Sequence, residues 1–281
     1  MPFDQITIVG VGLIGGSVGL ATKTRGLCKR VVGVGRDERT LARTQADGAI
    51  DSFTVNIADG VKAADVVVVC TPVDRVAADV LVATHAAPPR CLVTDVGSTK
   101  GNIVRELAGK LPPAGAMFVG SHPLAGSEKR GSANAVADLF VNRVVVVTPT
   151  ADSDLEAVAV VELFWSRLGA RIIRMDPHEH DTALAMTSHL PHAAAGGLAA
   201  VTPPEWLALT AGGFRDTTRI AAGDPDLWAA IFLANRDAVL GAVDQFSERM
   251  AQFRTLLAAD DRAGLVRWLA EGKRVRDALG S

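Results

Sequence analysis

Gln5-Ile6-Thr7-Ile8-Val9-Gly10-Val11-Gly12-Leu13-Ile14-Gly15-Gly16-Ser17 decides how the rest of the chain is read. Residues 5–9 form a short apolar run, which suits a strand buried on both faces. Gly10, Gly12 and Gly15 follow at the G-x-G-x-x-G spacing, and an apolar helical pattern continues to about Thr24. In a strand–turn–helix the first glycine permits a tight turn and the second lets the backbone approach a pyrophosphate. The third lets helix and strand pack closely. The helix N-terminus, with its unpaired N–H groups and positive dipole end, then faces the anion. The stretch predicts a dinucleotide site at Gly10, Gly12, Leu13, Ile14 and Gly15; a glycine-rich turn without ligand is the bland alternative.

The surrounding pattern favours the site. Apolar strands at 31–34, 66–70 and 91–95 alternate with helical stretches, as in a parallel sheet covered on both faces. Further strands are expected at 117–119, 143–148 and 170–174, with a helix over 152–168. Near Met175-Asp176-Pro177 the pattern changes. From His180 to Ala278 the periodicity is helical, with breaks at Thr202-Pro203-Pro204, Gly212-Gly213 and Gly223-Asp224-Pro225. The expected fold class is therefore α/β, with a dinucleotide-binding parallel-sheet domain over 1–175 and an all-helical domain over 176–281.

Composition narrows the partners. The 281 residues are 48% hydrophobic with a mean hydropathy of +0.24, so part of the apolar surplus is expected between subunits. The helical half is the candidate for forming a homodimer. A formal net charge of -2 argues against nucleic acid and against a membrane surface, both of which call for a basic stripe. No apolar run approaches the ~20 residues of a membrane span, and the start lacks the regions of a signal peptide. A cytoplasmic location is expected. Cys28, Cys70 and Cys91 are too scattered for a disulfide framework or a zinc ribbon. The chain has no tyrosine, which rules out a Tyr/Lys acid–base pair. It also has no lysine between Lys129 and Lys273, which disfavours hydroxyacid dehydrogenases that use a lysine in their second domain.

Cofactor choice is read after the second strand, where NAD sites place an acid for the ribose hydroxyls. Here Gly35 is followed by Arg36. A small residue leaves room for a 2′-phosphate and a guanidinium fork can pair with it, so NAD(P) is expected with a lean to NADP. Asp37 is the competing NAD-type contact. Thr71-Pro72 after the strand 66–70 either passes along the cofactor or simply ends the strand.

The chemistry is expected around Gly120-Ser121-His122-Pro123-Leu124-Ala125-Gly126-Ser127-Glu128. A histidine between a strand end and a Pro/Gly turn is held while its ring faces a cleft, which suits a general base. Asp95-Val96-Gly97-Ser98-Thr99-Lys100 ends another strand, so Ser98 belongs at the same edge; Ser98 or Thr99 would equally suit a helix N-cap. Downstream lie His180-Asp181, Ser188-His189-Leu190-Pro191-His192, Gly212-Gly213-Phe214-Arg215-Asp216-Thr217-Thr218-Arg219-Ile220, Asp224-Pro225 and Trp228. His178, His180, His189 and His192 have spacings that can bind zinc. No cysteine accompanies them and a strand-to-helix junction explains the first cluster, so no metal is expected.

From the glycine loop to Trp228, over about 220 residues and in order, these motifs resemble the prephenate/arogenate dehydrogenase family of tyrosine biosynthesis. The resemblance implies a Rossmann-type domain followed by a helical dimerisation domain. It implies prephenate or arogenate as substrate, with hydride leaving the hydroxyl-bearing ring carbon and the ring carboxylate leaving as carbon dioxide. His122 would take the hydroxyl proton, and Ser98 would bond that hydroxyl or hold the imidazole in the right tautomer, while also touching the cofactor. Arg219 would bind a substrate carboxylate, with Asp216 orienting its guanidinium. His192 would face the side-chain carboxylate or carbonyl, with His189 structural. Ser127 and Glu128 would line the mouth, Glu128 as a gate or a partner of Arg219. Trp228 would be a pocket wall across a dimer, or plain core. Asn142, where an acid could greet an ammonium, hints at prephenate. Rival readings are another two-domain NADP dehydrogenase and a non-catalytic nucleotide-sensing protein.

Overall fold

The computed structural model describes residues 3–126 and 131–280. Strands and helices alternate as β1 (Phe3–Val9), α1 (Leu13–Thr24), β2 (Cys28–Val34), α2 (Glu38–Ala46), β3 (Ser52–Thr54), α3 (Ile57–Val61), β4 (Val66–Val69), α4 (Val76–Ala86), β5 (Leu92–Asp95), α5 (Gly101–Leu107) and β6 (Met117–Phe118). The strands form one parallel sheet in the order β3-β2-β1-β4-β5-β6. Alternate residues serve opposite faces, so the runs are mainly apolar on both, with a few buried polar residues such as Gln5 and Thr7. Ile6, Ile8, Val66 and Val68 enter one core layer; Val9, Val67, Val69 and Val93 enter the other. Strand order reverses between β1 and β4, and a crevice at the carboxyl ends of the strands is the usual ligand position in such sheets.

The next strands depart from the one-sheet expectation. Met117–Phe118 ends the parallel sheet, and Gly120–Pro123 is itself a strand, β7, pairing antiparallel with β8 (Val144–Thr148). After α6 (Leu155–Arg167), β9 (Arg171–Arg174) completes a separate three-stranded sheet in the order β7-β8-β9. His122 therefore sits on a strand opposite Val146, not in a turn. Pro123, read from the sequence as a turn signal, is tolerated because β7 is an edge strand. Asn142 is an exposed turn residue in the left-handed region (φ 59°), which asparagine tolerates better than most residues. Backbone geometry accounts for it without a substrate.

Beyond β9 the chain is helical: α7 (Pro177–Leu184), a π-turn (Ala185–His189), α8 (Leu190–Ala200), α9 (Gly212–Thr218), a 3-10 turn (Arg219–Ala222) and α10 (Pro225–Ala234). Asp176 caps α7 by accepting from the His178 and Glu179 amides at 2.8 and 3.3 Å. The change from sheet to helix falls at 175/176, whereas the compact units divide between Asn235 and Arg236. The second unit is a hairpin of α11 (Arg236–Ala258) and α12 (Arg262–Ala278). Within it Trp268 lies under the Arg249 guanidinium at 4.9 Å and donates to the Arg249 carbonyl at 3.2 Å. Among the described residues no helix is long and apolar enough to cross a membrane.

Candidate active site

Two glycines of the first loop, Gly10 and Gly15, are required by different contacts. Gly10 has φ +94°, and a Cβ there would meet the Cys70 carbonyl group at 2.8 Å. A Cβ on Gly15 would lie 2.1 Å from the Gly10 oxygen, so helix and strand could not approach. Gly12, the N-cap of α1, faces open space. The first turn of α1 carries no acid and its N-cap makes no side-chain bond, so the amide end of the helix is free for an anion. Thr71, at the carboxyl end of β4, has a buried hydroxyl with no hydrogen-bond partner among the described residues. The loop, the helix end and this hydroxyl fit a dinucleotide, and Leu13, Ile14 and Pro72 belong to the same segments. Asp37 caps α2, accepting from the Arg39 and Thr40 amides at 3.2 and 3.1 Å and from the Thr40 hydroxyl at 2.5 Å. Those bonds hold its carboxyl below the usual range. Arg36 is exposed beside it.

Ser98 lies half-buried in the β5–α5 loop, and neither it nor Thr99 caps α5. The cap comes from another helix. Asp181 on α7 accepts from the Lys100 amide through Oδ1 and from the Gly101 amide through Oδ2, both at 2.7 Å. This bond pair locks the loop carrying Ser98 to α7, the helix that carries His180.

His122 is more enclosed than a cleft-facing ring, with 8% of its surface exposed. Its Nδ1 lies 2.9 Å from Nε2 of fully buried His180, whose Nδ1 lies 2.8 Å from Asp181 Oδ1. Burial above all, with the nearby Lys100 ammonium among the lesser causes, pushes His122 well below the usual histidine value. It is neutral at pH 7, the form a base needs.

Under this row lies an ion pair. Lys100, 1% exposed, donates Nζ to the carboxylate of fully buried Asp95 and to the Ser121 carbonyl at 2.9 Å. Asp95 also accepts from the Gly97 amide at 2.8 Å. Ser121 donates its hydroxyl to the Asp95 carbonyl at 2.7 Å and accepts from Trp165 Nε1 at 2.9 Å. Since Ser121 has one proton to give, Thr94, at 2.8 Å, is the donor in their contact. These bonds fasten the second sheet to the first directly beneath His122.

The helical segments close the other side. His192 on α8 is stacked on Trp228 of its own chain, ring centroids 3.3 Å apart, and its Nδ1 donates to the Ser188 carbonyl at 3.3 Å. Burial lowers its basicity, the Ser188 bond opposes that, and the charge of Arg219 adds to the lowering. Arg219 thus stands beside His192, exposed on the 3-10 turn. Asp216 makes no ion pair with it among the described residues. His189 is fully enclosed; its Nδ1 accepts from Asn235 Nδ2 at 3.1 Å, which also bonds the Asp181 carbonyl at 2.7 Å. Burial above all pushes it down to about 4. Ser127 and Glu128 lie outside the described residues. Among the described residues, no group of three or more His, Cys, Asp and Glu could hold a metal ion.

His192 and Arg219 are sequence expectations that the fold sets side by side, while His122 stands in a row with His180 and Asp181. His180 as a neighbour of His122, Asn235, and the Lys100–Asp95 pair were not foreseen. An acid directly after His180 was the only available signal, and a buried lysine among exposed-looking polar residues gives none.

Comparisons with known proteins place the chain in a family. Residues 18–174 match the model of the prephenate dehydrogenase nucleotide-binding domain, and residues 176–271 that of the prephenate dehydrogenase dimerization domain. The chain is 36% identical to a prephenate dehydrogenase of Bacillus subtilis, over 98% of this chain and 76% of that one. It is 34% identical to a cyclohexadienyl dehydrogenase of Zymomonas mobilis, over 99% and 96%. Its fold superposes with TM-score 0.91 and 31% identity on a prephenate dehydrogenase from Aquifex aeolicus solved with hydroxyphenyl propionate and NAD+, covering 99% of both. A Synechocystis arogenate dehydrogenase gives 0.82 at 28% identity, covering 98% and 99%. With a dinucleotide loop, a neutral buried histidine at the strand edge and both domain models matched in order, the chain belongs to the prephenate dehydrogenase family of oxidoreductases.

Proposed function

We propose that this protein converts prephenate to 4-hydroxyphenylpyruvate by oxidative decarboxylation with NAD(P). The observation that carries the reading is His122, neutral and buried on β7, the strand that directly follows the parallel sheet carrying the glycine loop. When bound, the nicotinamide supplies the hydride acceptor. His122 draws the hydroxyl proton as the ring carbon is oxidised. The ring carboxylate leaves as carbon dioxide and the ring becomes aromatic, so the oxygen recovers its proton and the balanced reaction releases none. Ser98 steadies the hydroxyl beside the cofactor. Arg219 meets a carboxylate as a guanidinium fork, a bond of roughly 1.5–3 kcal/mol. His192, stiffened by Trp228, meets the side chain, with Ser127 and Glu128 at the mouth and Asp216 in the same segment as Arg219. The functional division is 1–175 for the dinucleotide and 176–281 for substrate and a homodimer contact, in the cytoplasm. The name of the dimerization-domain model supports the last contact.

The test follows reduced-cofactor absorbance with purified protein and prephenate, arogenate or neither. Turnover of prephenate is expected; turnover of neither overturns the reading and leaves a nucleotide-binding protein. Arogenate as the preferred substrate is the second reading, favoured by the likeness to the Synechocystis enzyme.

We also propose that NADP is preferred, since Asp37 is committed to capping α2 and Arg36 is exposed beside it. Arg36→Ala is expected to raise the KM for NADP by roughly tenfold or more, the loss of one charge-assisted phosphate contact, while NAD changes little. Equal losses for the two cofactors sink that preference.

A further inference from the structure

We infer that His180 and Asp181 are positioning residues that fix the tautomer of His122, placing its proton on Nδ1 and leaving Nε2 as the basic nitrogen. The inference rests on the proposed reaction for its kinetic consequence, but the hydrogen-bond directions stand by themselves.

Asp181 anchors the row. Its carboxylate accepts the Lys100 amide, the Gly101 amide and His180, at 2.7, 2.7 and 2.8 Å. Burial would raise its pKa, yet these three donors hold the group below the usual carboxylate value, so it is ionised and can only accept. His180 must then carry its proton on Nδ1. In a neutral ring that donates from Nδ1, the other nitrogen, Nε2, is a lone pair. The 2.9 Å contact from that nitrogen to His122 requires His122 to donate from Nδ1. Neutral His122 is left with one unprotonated nitrogen, Nε2. Without the row, neutral imidazole distributes its proton between both nitrogens, and one of the two forms has no base on the substrate side.

The same carboxylate also closes the end of α5. Asp181 thus couples the orientation of the base to the loop carrying Ser98. Charged and titratable groups around His122 are His180 and Asp181 from α7, Lys100 and Asp95 from the β5–α5 segment and His189 from the π-turn.

Long-range proton–nitrogen correlation spectra of protein labelled with nitrogen-15 histidine test this without substrate, with His122→Asn used for assignment. The expected pattern is a protonated Nδ1 and an unprotonated Nε2 on His122, and a changed proton position in Asp181→Asn, where the amide group can donate to His180. A wild-type His122 protonated on Nε2 overturns the proposal. Kinetics supply the second arm. His180→Phe removes the acceptor and is expected to lower kcat roughly 10- to 1,000-fold with KM nearly unchanged. His180→Gln, whose amide oxygen can accept from Nδ1, is expected to recover at least part of that loss at a similar melting temperature. Full activity in His180→Phe, or equal losses in both variants, also overturns it. If wild type turns over neither substrate, the proposed reaction fails while the spectroscopic result still decides the tautomer.

Discussion

His122→Asn is expected to lower kcat by about 10²- to 10⁴-fold, the usual contribution of one general base, while KM for substrate changes only a few-fold. That is a barrier increase of roughly 3–5 kcal/mol. Asparagine keeps a polar group on β7 but cannot take up a proton. The pH profile sharpens the expectation. His122 is held well below 6.5 by burial above all, with the Lys100 ammonium adding to the effect. Its unprotonated fraction therefore stays near one as pH falls from 8 through 6.5. The acid limb of kcat/KM appears only below that, and it should vanish in the variant. Stopped assays across pH 5 to 8 check both points. Activity within tenfold of wild type places the base elsewhere, and a limb centred at or above 6.5 removes the case for a depressed His122.

Lys100→Met is expected to destabilise the fold by about 3–5 kcal/mol, the usual cost of removing one partner of a buried ion pair. Methionine fills much of the stem volume but leaves the Asp95 carboxylate buried at 0% exposure with its cation gone. It also leaves the Ser121 carbonyl without its Lys100 donor. Pairing the change with Asp95→Asn removes the orphaned charge, so the double variant should recover part of the loss. Urea melts at fixed protein concentration measure the differences. A single-variant loss below about 1 kcal/mol would put the pair with exposed ones and deny it a structural role. Where Lys100→Met still folds, the acid limb of kcat/KM should move to higher pH, because the ammonium is one of the charges that opposes protonation of His122.

Both effects belong to side chains whose importance was unequally visible. Short-range patterns served well. The glycine spacing, the apolar runs and the helical periodicity are local, and the parallel sheet with its glycine loop follows from them. Gly10 and Gly15 are tied to contacts that their spacing anticipates. His122 was legible as a residue, but its setting was misjudged: Pro123 reads as a turn signal, and only the partner strand β8 makes Gly120–Pro123 a strand. Ser98 looked as suitable a helix cap as a site residue until Asp181, about 80 positions later, proved to hold that helix end.

By itself the sequence determined the fold class, the dinucleotide loop and the identity of the candidate base, because each is written in residues a few positions apart. Tertiary structure alone decided which groups touch that base. His180, Asp181, Lys100 and Asn235 come from different elements, and their meaning depends on hydrogen-bond direction and burial. The physical reason is range. Backbone preference and hydrophobic period act between near neighbours, whereas a proton's place on an imidazole is set by whatever the fold brings within 3 Å of it.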